Sequence, residues 1–247
     1  YCLQWVMTSV NKILLEPAFV LHTRPYQETS LIVEFFTQSF GRINAVAKGA
    51  KRPKSPLRSI LTPVSRLSVS LSGKSELKNL SSAEILDHYP LSDGASLNSI
   101  IYINELIAKA TEKEDPHEII FLKYQNFLEN ISKNNNLDNL ELLLRDFEMT
   151  LLQEMGYGID LTRDAETNNK LKEDTNYRFD PNIGFTFITA GNRPKISFLG
   201  KDIIDFSEGK FEKKSVRAAS KIIMRTALDY HLGNKSLNIR KYLTKNN

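Results

Sequence analysis

Between residues 86 and 96 the spacing of apolar residues changes, and that change divides what the chain can fold into. Upstream, from Pro17 to Leu86, short runs of β-formers alternate with turn residues. Residues 18–22, 29–36, 41–47, 64–71 and 76–85 read as five strands, with turns at 24–26, 39–42 and 72–74. Five strands in about 70 residues is the size of a small barrel of the oligonucleotide-binding type.

Downstream the period becomes three or four. Ile100, Ile103, Leu106, Ile107 and Ala110 form one helical stripe. Ile119, Ile120, Tyr124, Phe127, Leu128 and Ile131 form a second, with Asp115 as N-cap and Pro116 at the first helical position. Leu140, Leu143, Leu144, Phe147 and Leu151 form a third, which Gly156 stops. Three apolar-faced helices in succession predict a bundle. Residues 162–176 read as a polar loop and residues 177–179 and 185–188 as a hairpin. A last helix, from about Lys213 to Leu232, places Val216, Ala219, Ile223, Ala227 and Tyr230 on its buried side. The fold class is therefore α+β, a barrel followed by helices.

Charge is distributed in blocks. Residues 1–90 carry 11 Lys and Arg against 6 Asp and Glu, residues 91–165 carry 6 against 14, and residues 166–247 carry 16 against 9, for a net charge of +4. A polyanion would therefore meet the ends of the chain and avoid its middle. The densest block is residues 41–58, GRINAVAKGAKRPKSPLR, in which Arg42, Lys48, Lys51, Arg52, Lys54 and Arg58 have no acidic neighbour in sequence. Such a cluster repels itself unless a polyanion lies across it. Gly49, Pro53 and Pro56 exclude regular structure from its second half, making it a basic loop at a strand end. This loop and the barrel face are the expected nucleic-acid site. Arg24 and Tyr26, in the turn before the second strand, are placed with it; Tyr26 and Phe40 are the candidates for base stacking, Tyr26 the stronger, with packing in the barrel core the competing role for Phe40. On the last helix Lys214, Arg217, Lys221 and Arg225 fall with Lys210 within an arc of about 80° opposite the apolar side, a second basic stripe.

Catalytic chemistry finds little support. The histidines, His22, His88, His117 and His231, are dispersed, and no phosphate-binding loop, nucleophile elbow or dinucleotide fingerprint is present. Cys2 is the only cysteine, so no cysteine-based metal cage or disulfide framework can be built within the chain. Met7 reads as a natural start, making residues 1–6 an extension. No apolar run approaches the roughly 20 residues that cross a bilayer, so a soluble, cytoplasmic protein without cofactor or metal is expected.

Several stretches in register resemble the RecO family of bacterial DNA-repair proteins. They are AFVLHTRPYQETS at 18–30, Gly41-Arg42 with VAKGAKRPKSPLR at 46–58, GKSELK at 73–78 leading into Ser82-Ala83-Glu84, and YINEL at 102–106. Phe147-Glu148 with EMGYG at 154–158, and His231-Leu232-Gly233 with Lys235, Leu237 and Arg240, complete the series. The resemblance implies an oligonucleotide-binding barrel, a helical bundle and a zinc-ribbon-like insertion. Combined with the periodicity, it divides the chain into an extension at 1–15, the barrel at 16–90, the bundle at 91–161, the insertion at 162–200 and a C-terminal helical segment at 201–247. Many family members carry zinc-binding cysteines after the Gly-Tyr-Gly element; here DLTRDAET at 160–167 has none, and the insertion is expected to hold without metal.

The resemblance further implies a non-enzymatic recombination mediator that binds single- and double-stranded DNA and anneals complementary strands. Its implied partners are RecR, the C-terminal tail of single-stranded DNA-binding protein and, indirectly, RecA, with nucleoid association during repair. For the tail, whose end presents an apolar side chain and a free carboxylate, Arg145 with Leu144 and Phe147 is the candidate seat; a bridge from Arg145 to Glu141, Asp146 or Glu148 is the alternative. Two other functions compete: a metal-dependent nucleic-acid enzyme using the acidic middle, and an interaction scaffold that binds no DNA.

Overall fold

The computed structural model describes residues 12–91, 93–133, 137–188 and 194–233, together with 237 and 239. Cys2, Met7, the loop at 134–136, Lys235 and Arg240 lie outside the described residues. The chain forms two compact units divided between Ser132 and Lys133.

In the first unit, β1 (Lys12–Tyr26), β2 (Ser30–Thr37), β3 (Gly41–Ala47), β4 (Ser65–Ser72) and β5 (Leu77–His88) close into a barrel in the order β1-β2-β3-β5-β4. All pairs are antiparallel except β3 with β5. One strand, β1, serves two neighbours: its first half pairs with β4 and its second with β2, and Ala18 and Phe19 pair with both. Register shifts between Ile13 and Glu16 and between Val20 and His22 bend it through that change of partner. Inside the barrel the expected alternation holds. Val33 and Phe35, Ile43, Ala45 and Ala47, and Leu67, Val69 and Leu71 pack with Ala18 and Val20 into one buried cluster, against which Phe40 also rests. A one-turn helix, α1 (Leu57–Ile60), lays Leu57 and Ile60 on the same cluster.

The outward-facing side chains of β1 and β2 explain where the next helices go. Phe19 and Phe36 point away from the barrel interior yet are fully buried, because α3 (Glu118–Lys133) covers them. Phe121 meets Phe19 at 4.9 Å and Phe36 at 5.7 Å, and Tyr124 meets Phe19 edge-on at 4.8 Å. The Tyr124 hydroxyl donates to Asn104 on α2 (Gly94–Ala110) at 2.6 Å, and Asn104 donates to the Leu21 carbonyl at 3.1 Å. These contacts cluster α2 and α3 with the barrel, whereas α4 (Leu137–Glu154) belongs to the second unit, so the division runs through the stretch read as one bundle. Because Phe121 fills a wholly buried niche, Phe121→Ala is expected to destabilise the first unit by about 3 to 5 kcal/mol, measured as a shift in urea midpoint at unchanged m-value.

Details differ from the sequence reading at several places, among them the start of β1, at Lys12 instead of Ala18, and Ile119, expected in the apolar stripe of α3 but exposed. Strand β1 continues through Arg24–Tyr26, and the turn falls at 27–29, where Gln27 takes φ 51°. Helix α3 starts at Glu118, two residues after Pro116, because the preceding segment crosses the barrel. The Glu114 amide donates to the Arg42 carbonyl at 3.0 Å, and Asp115 lies so close over Gly41 that a Cβ there would overlap its carbonyl. Tyr230, expected on the buried side of the last helix, is exposed.

Among its described residues the second unit contains α4, a three-stranded sheet and the helices that follow it. Strands β6 (Asn176–Asp180), β7 (Gly184–Phe187) and β8 (Phe198–Leu199) are ordered β7-β6-β8, and the first two form the expected hairpin. Helix α5 (Gly200–Ser207) leads to α6 (Lys214–His231), which buries Val216, Ala219, Ile223 and Ala227. Among the described residues no helix is long and apolar enough to cross a membrane.

Candidate nucleic-acid interface

The basic loop leaves β3 through Gly49, which has φ +70°. From there the backbone closes one turn after another: Arg52 N–H to the Gly49 carbonyl at 3.1 Å, Ser55 to Arg52 at 3.0 Å, and Arg58 to Ser55 at 3.2 Å. Two anchors hold this chain of turns to the barrel. Ala50 is fully buried in the core cluster, and the Lys51 amide donates to the Thr29 carbonyl at 2.9 Å, joining the loop to the turn between β1 and β2. Lys48, Lys51, Arg52, Lys54 and Arg58 are all exposed on this scaffold. Arg24 and Tyr26 belong to the same end, since Tyr26 pairs with Ser30, next to Thr29, and Arg24 pairs with Ile32. Arg24 is exposed and Tyr26 half-buried.

Pairing separates this group from most other cations. Among the described residues none of Arg24, Lys48, Lys51, Arg52, Lys54 and Arg58 has a carboxylate within salt-bridge distance, whereas Arg66, Lys78, Lys109, Lys113 and Arg178 each have one. Arg42 does not join the group. It is 9% exposed; its guanidinium bridges Glu34 and donates to the Thr111 hydroxyl at 2.9 Å and carbonyl at 2.6 Å, which fastens the segment after α2 to the barrel. The outer face of β2 and β3 is correspondingly closed, with Phe36 under α3, Glu34 on Arg42, and Ile32 and Val46 each 8% exposed. This part of the barrel face, expected to share the binding with the loop, is thus covered, and the open cationic surface is the loop end.

The second stripe is partly neutralised within its own unit. Lys214, Lys221 and Arg225 are exposed, but Arg225 lies 3.6 Å from Asp229. Arg217 is half-buried, donates to the Phe211 carbonyl at 2.8 Å and faces Glu141 at 3.6 Å. Lys210 pairs with Glu208. In α4, Arg145 bridges Glu148 at 3.1 Å, the carboxylate being fully buried; Phe147 is 1% exposed and Leu144 half-buried. Phe147 is thus core, and Arg145 has the intrahelical partner that the sequence offered as its alternative role.

In the DLTRDAET stretch at 160–167 a buried carboxylate is held by other groups of the protein. Asp164, 3% exposed in the DLTRDAET stretch, accepts at Oδ1 from the amides of Glu166 at 3.1 Å and Thr167 at 2.8 Å and from the Thr167 hydroxyl at 2.9 Å, and at Oδ2 from the Phe187 amide on β7 at 2.8 Å. One carboxylate thereby ties a loop to the hairpin, and both its oxygens are occupied by donors. Burial pushes the Asp164 carboxyl up, but the N–H and O–H donors outweigh it and hold it below the usual carboxylate range. Among the described residues no group of three or more His, Cys, Asp and Glu converges as a metal ion requires.

Thr29, Ala50 and Asp164 escaped the sequence reading. Ala50, an apolar residue inside a charged run, was the one available signal; backbone tethering through Thr29 leaves none.

A closed five-stranded barrel followed by helices defines the class, an α+β protein with a barrel of the oligonucleotide-binding type of fold. Comparison narrows it. The model for the N-terminal domain of recombination protein O matches residues 12–89 and that for its C-terminal domain residues 91–240. DNA repair protein RecO of Nitrosospira multiformis is 41% identical over 229 residues, covering 92% of this chain and 93% of the relative. That of Polynucleobacter asymbioticus is 40% identical over 235 residues, covering 92% and 94%. That of Actinobacillus pleuropneumoniae serotype 7 is 37% identical over 223 residues, covering 90% and 91%. The chain belongs to the RecO family of DNA repair proteins.

Proposed function

We propose that this protein acts in DNA repair and recombination as a mediator without catalytic chemistry of its own. It binds single- and double-stranded DNA, anneals complementary strands and, with RecR, helps place RecA on strands coated by single-stranded DNA-binding protein. The supporting observation is the set of exposed cations on one tethered loop, none with a carboxylate partner among the described residues. Phosphates are the ligand that such a set lacks, and phosphate contact supplies most of non-specific affinity for DNA. Exposed Lys214 and Lys221 on α6 are secondary contacts in this reading. Annealing of two complementary oligonucleotides with and without the protein, in the presence of a chelator, tests it: acceleration is expected, and none at any protein concentration would overturn the mediator reading. Loss of binding on chelation would favour a metal-dependent enzyme.

The same reading seats the partner's acidic tail against Arg145, whose guanidinium turns from Glu148 to the incoming carboxylate. Arg145→Ala is expected to weaken binding of a fluorescently labelled tail peptide about tenfold while leaving binding to naked DNA unchanged. Because the substitution also removes the cation beside buried Glu148, a denaturation curve accompanies the titration. Equal affinity in a folded variant would confine Arg145 to its helix.

A further inference from the structure

Arg52 is placed differently from the lysines around it. A Cβ built on Gly49 would lie 3.6 Å from Cδ and Nε of Arg52 and 3.8 Å from its Cζ. Three successive atoms at nearly equal distance from one point show a side chain that runs across the glycine instead of standing away from it. The turn beneath is closed by the Arg52 amide on the Gly49 carbonyl, and the side chain remains exposed. The guanidinium is thus laid on its own backbone, with no ion pair among the described residues to hold it there.

A cation that meets phosphates gains by reach, and a flexible ammonium serves well; a planar guanidinium lying on a turn offers its face. Guanidinium planes stack on unpaired bases, with a cation–π contribution, and cannot reach a base inside an intact duplex. From this geometry we infer that Arg52 stacks on a nucleobase of single-stranded DNA, while Lys48, Lys51 and Lys54 contact its phosphates. The inference rests on the basic loop being the DNA site. Gly49 then has two roles, the left-handed backbone of the turn and the bare surface on which the guanidinium lies.

Arg52→Lys keeps the charge and removes the plane, and at an exposed position it leaves the fold intact. Binding is measured to an oligothymidylate and to a strand of equal length carrying abasic sites throughout, over a range of salt. The substitution is expected to weaken the oligothymidylate complex about tenfold and the abasic complex hardly at all, with both salt slopes unchanged. Arg52→Gln, which removes the charge as well, should lose the same base preference. Equal losses on both strands, or none on either, would overturn the stacking role. Lys48, Lys51 and Lys54 replaced together by Ala form the control: if they leave the slope unchanged, the loop is not the DNA site and the stacking inference falls with it. If they lower it while Arg52→Lys shows no base dependence, only the stacking inference falls.

Discussion

With Lys48, Lys51 and Lys54 replaced by Ala, the slope of log K against log salt for single-stranded DNA is expected to fall by about 2, each cation having released about 0.7 of a counterion. Over a fourfold rise in salt, the wild-type protein should accordingly lose about 16-fold more affinity than the variant. The loss should be the same for every sequence, since phosphates carry no base information. Nothing in the fold opposes the change. All three side chains are exposed, and the loop is held by Ala50, by the Lys51 amide and by turns whose bonds are backbone to backbone. A slope that stays constant in a folded triple variant would move the phosphate contacts to Lys214 and Lys221.

The second large effect is expected at Asp164. Replacement by Ala removes the acceptor of three amides and one hydroxyl around a buried carboxylate, and a donor left without a partner costs up to about 1 to 3 kcal/mol where water does not replace it. Partial relaxation of an exposed loop reduces the sum, so a loss of about 3 to 5 kcal/mol from the second unit is expected in a denaturant titration; Asp164→Asn, which keeps the shape, should lose less. The pH dependence has a definite sign. The folded carboxyl titrates below its unfolded value of 3.8, so its stabilisation is complete well above that value, declines as the pH falls through it, and is gone below the lowered folded pKa. The wild type should therefore show an acid limb that Asp164→Ala flattens. A variant with the acid limb unchanged would assign the acid sensitivity to another group, such as Asp205, where burial raises the carboxyl but Lys213 and Lys201 bring it lower still.

Much of the architecture was legible because each face of it has a repeat. Alternation in β3 and β4 placed Ile43, Ala45, Leu67 and Val69 inside the barrel, and Val216, Ala219, Ile223 and Ala227 marked the buried side of α6. Phe19 and Phe36 were not legible as outward-facing, since a strand buried on both faces reads as a continuous apolar run. Asp115 and Pro116 gave a sound local signal for a helix start that the crossing over Gly41 overrode. In the candidate site the cations could be seen but not their partners. Arg42 and Lys48 look alike in sequence, six residues apart in one basic run, and only the fold shows that one is locked between Glu34 and Thr111 while the other is exposed.

The bond from the Lys51 amide to the Thr29 carbonyl separates two properties that a basic loop usually confounds. The attachment uses main-chain atoms, so any residue except proline at position 51 can keep it, whatever its charge. The number and kind of cations on the loop can therefore drift, through single substitutions, without loosening the platform that presents them. Within such a scaffold affinity for a polyanion is a quantity that selection can adjust in small steps, while the position of the contact stays where the backbone put it.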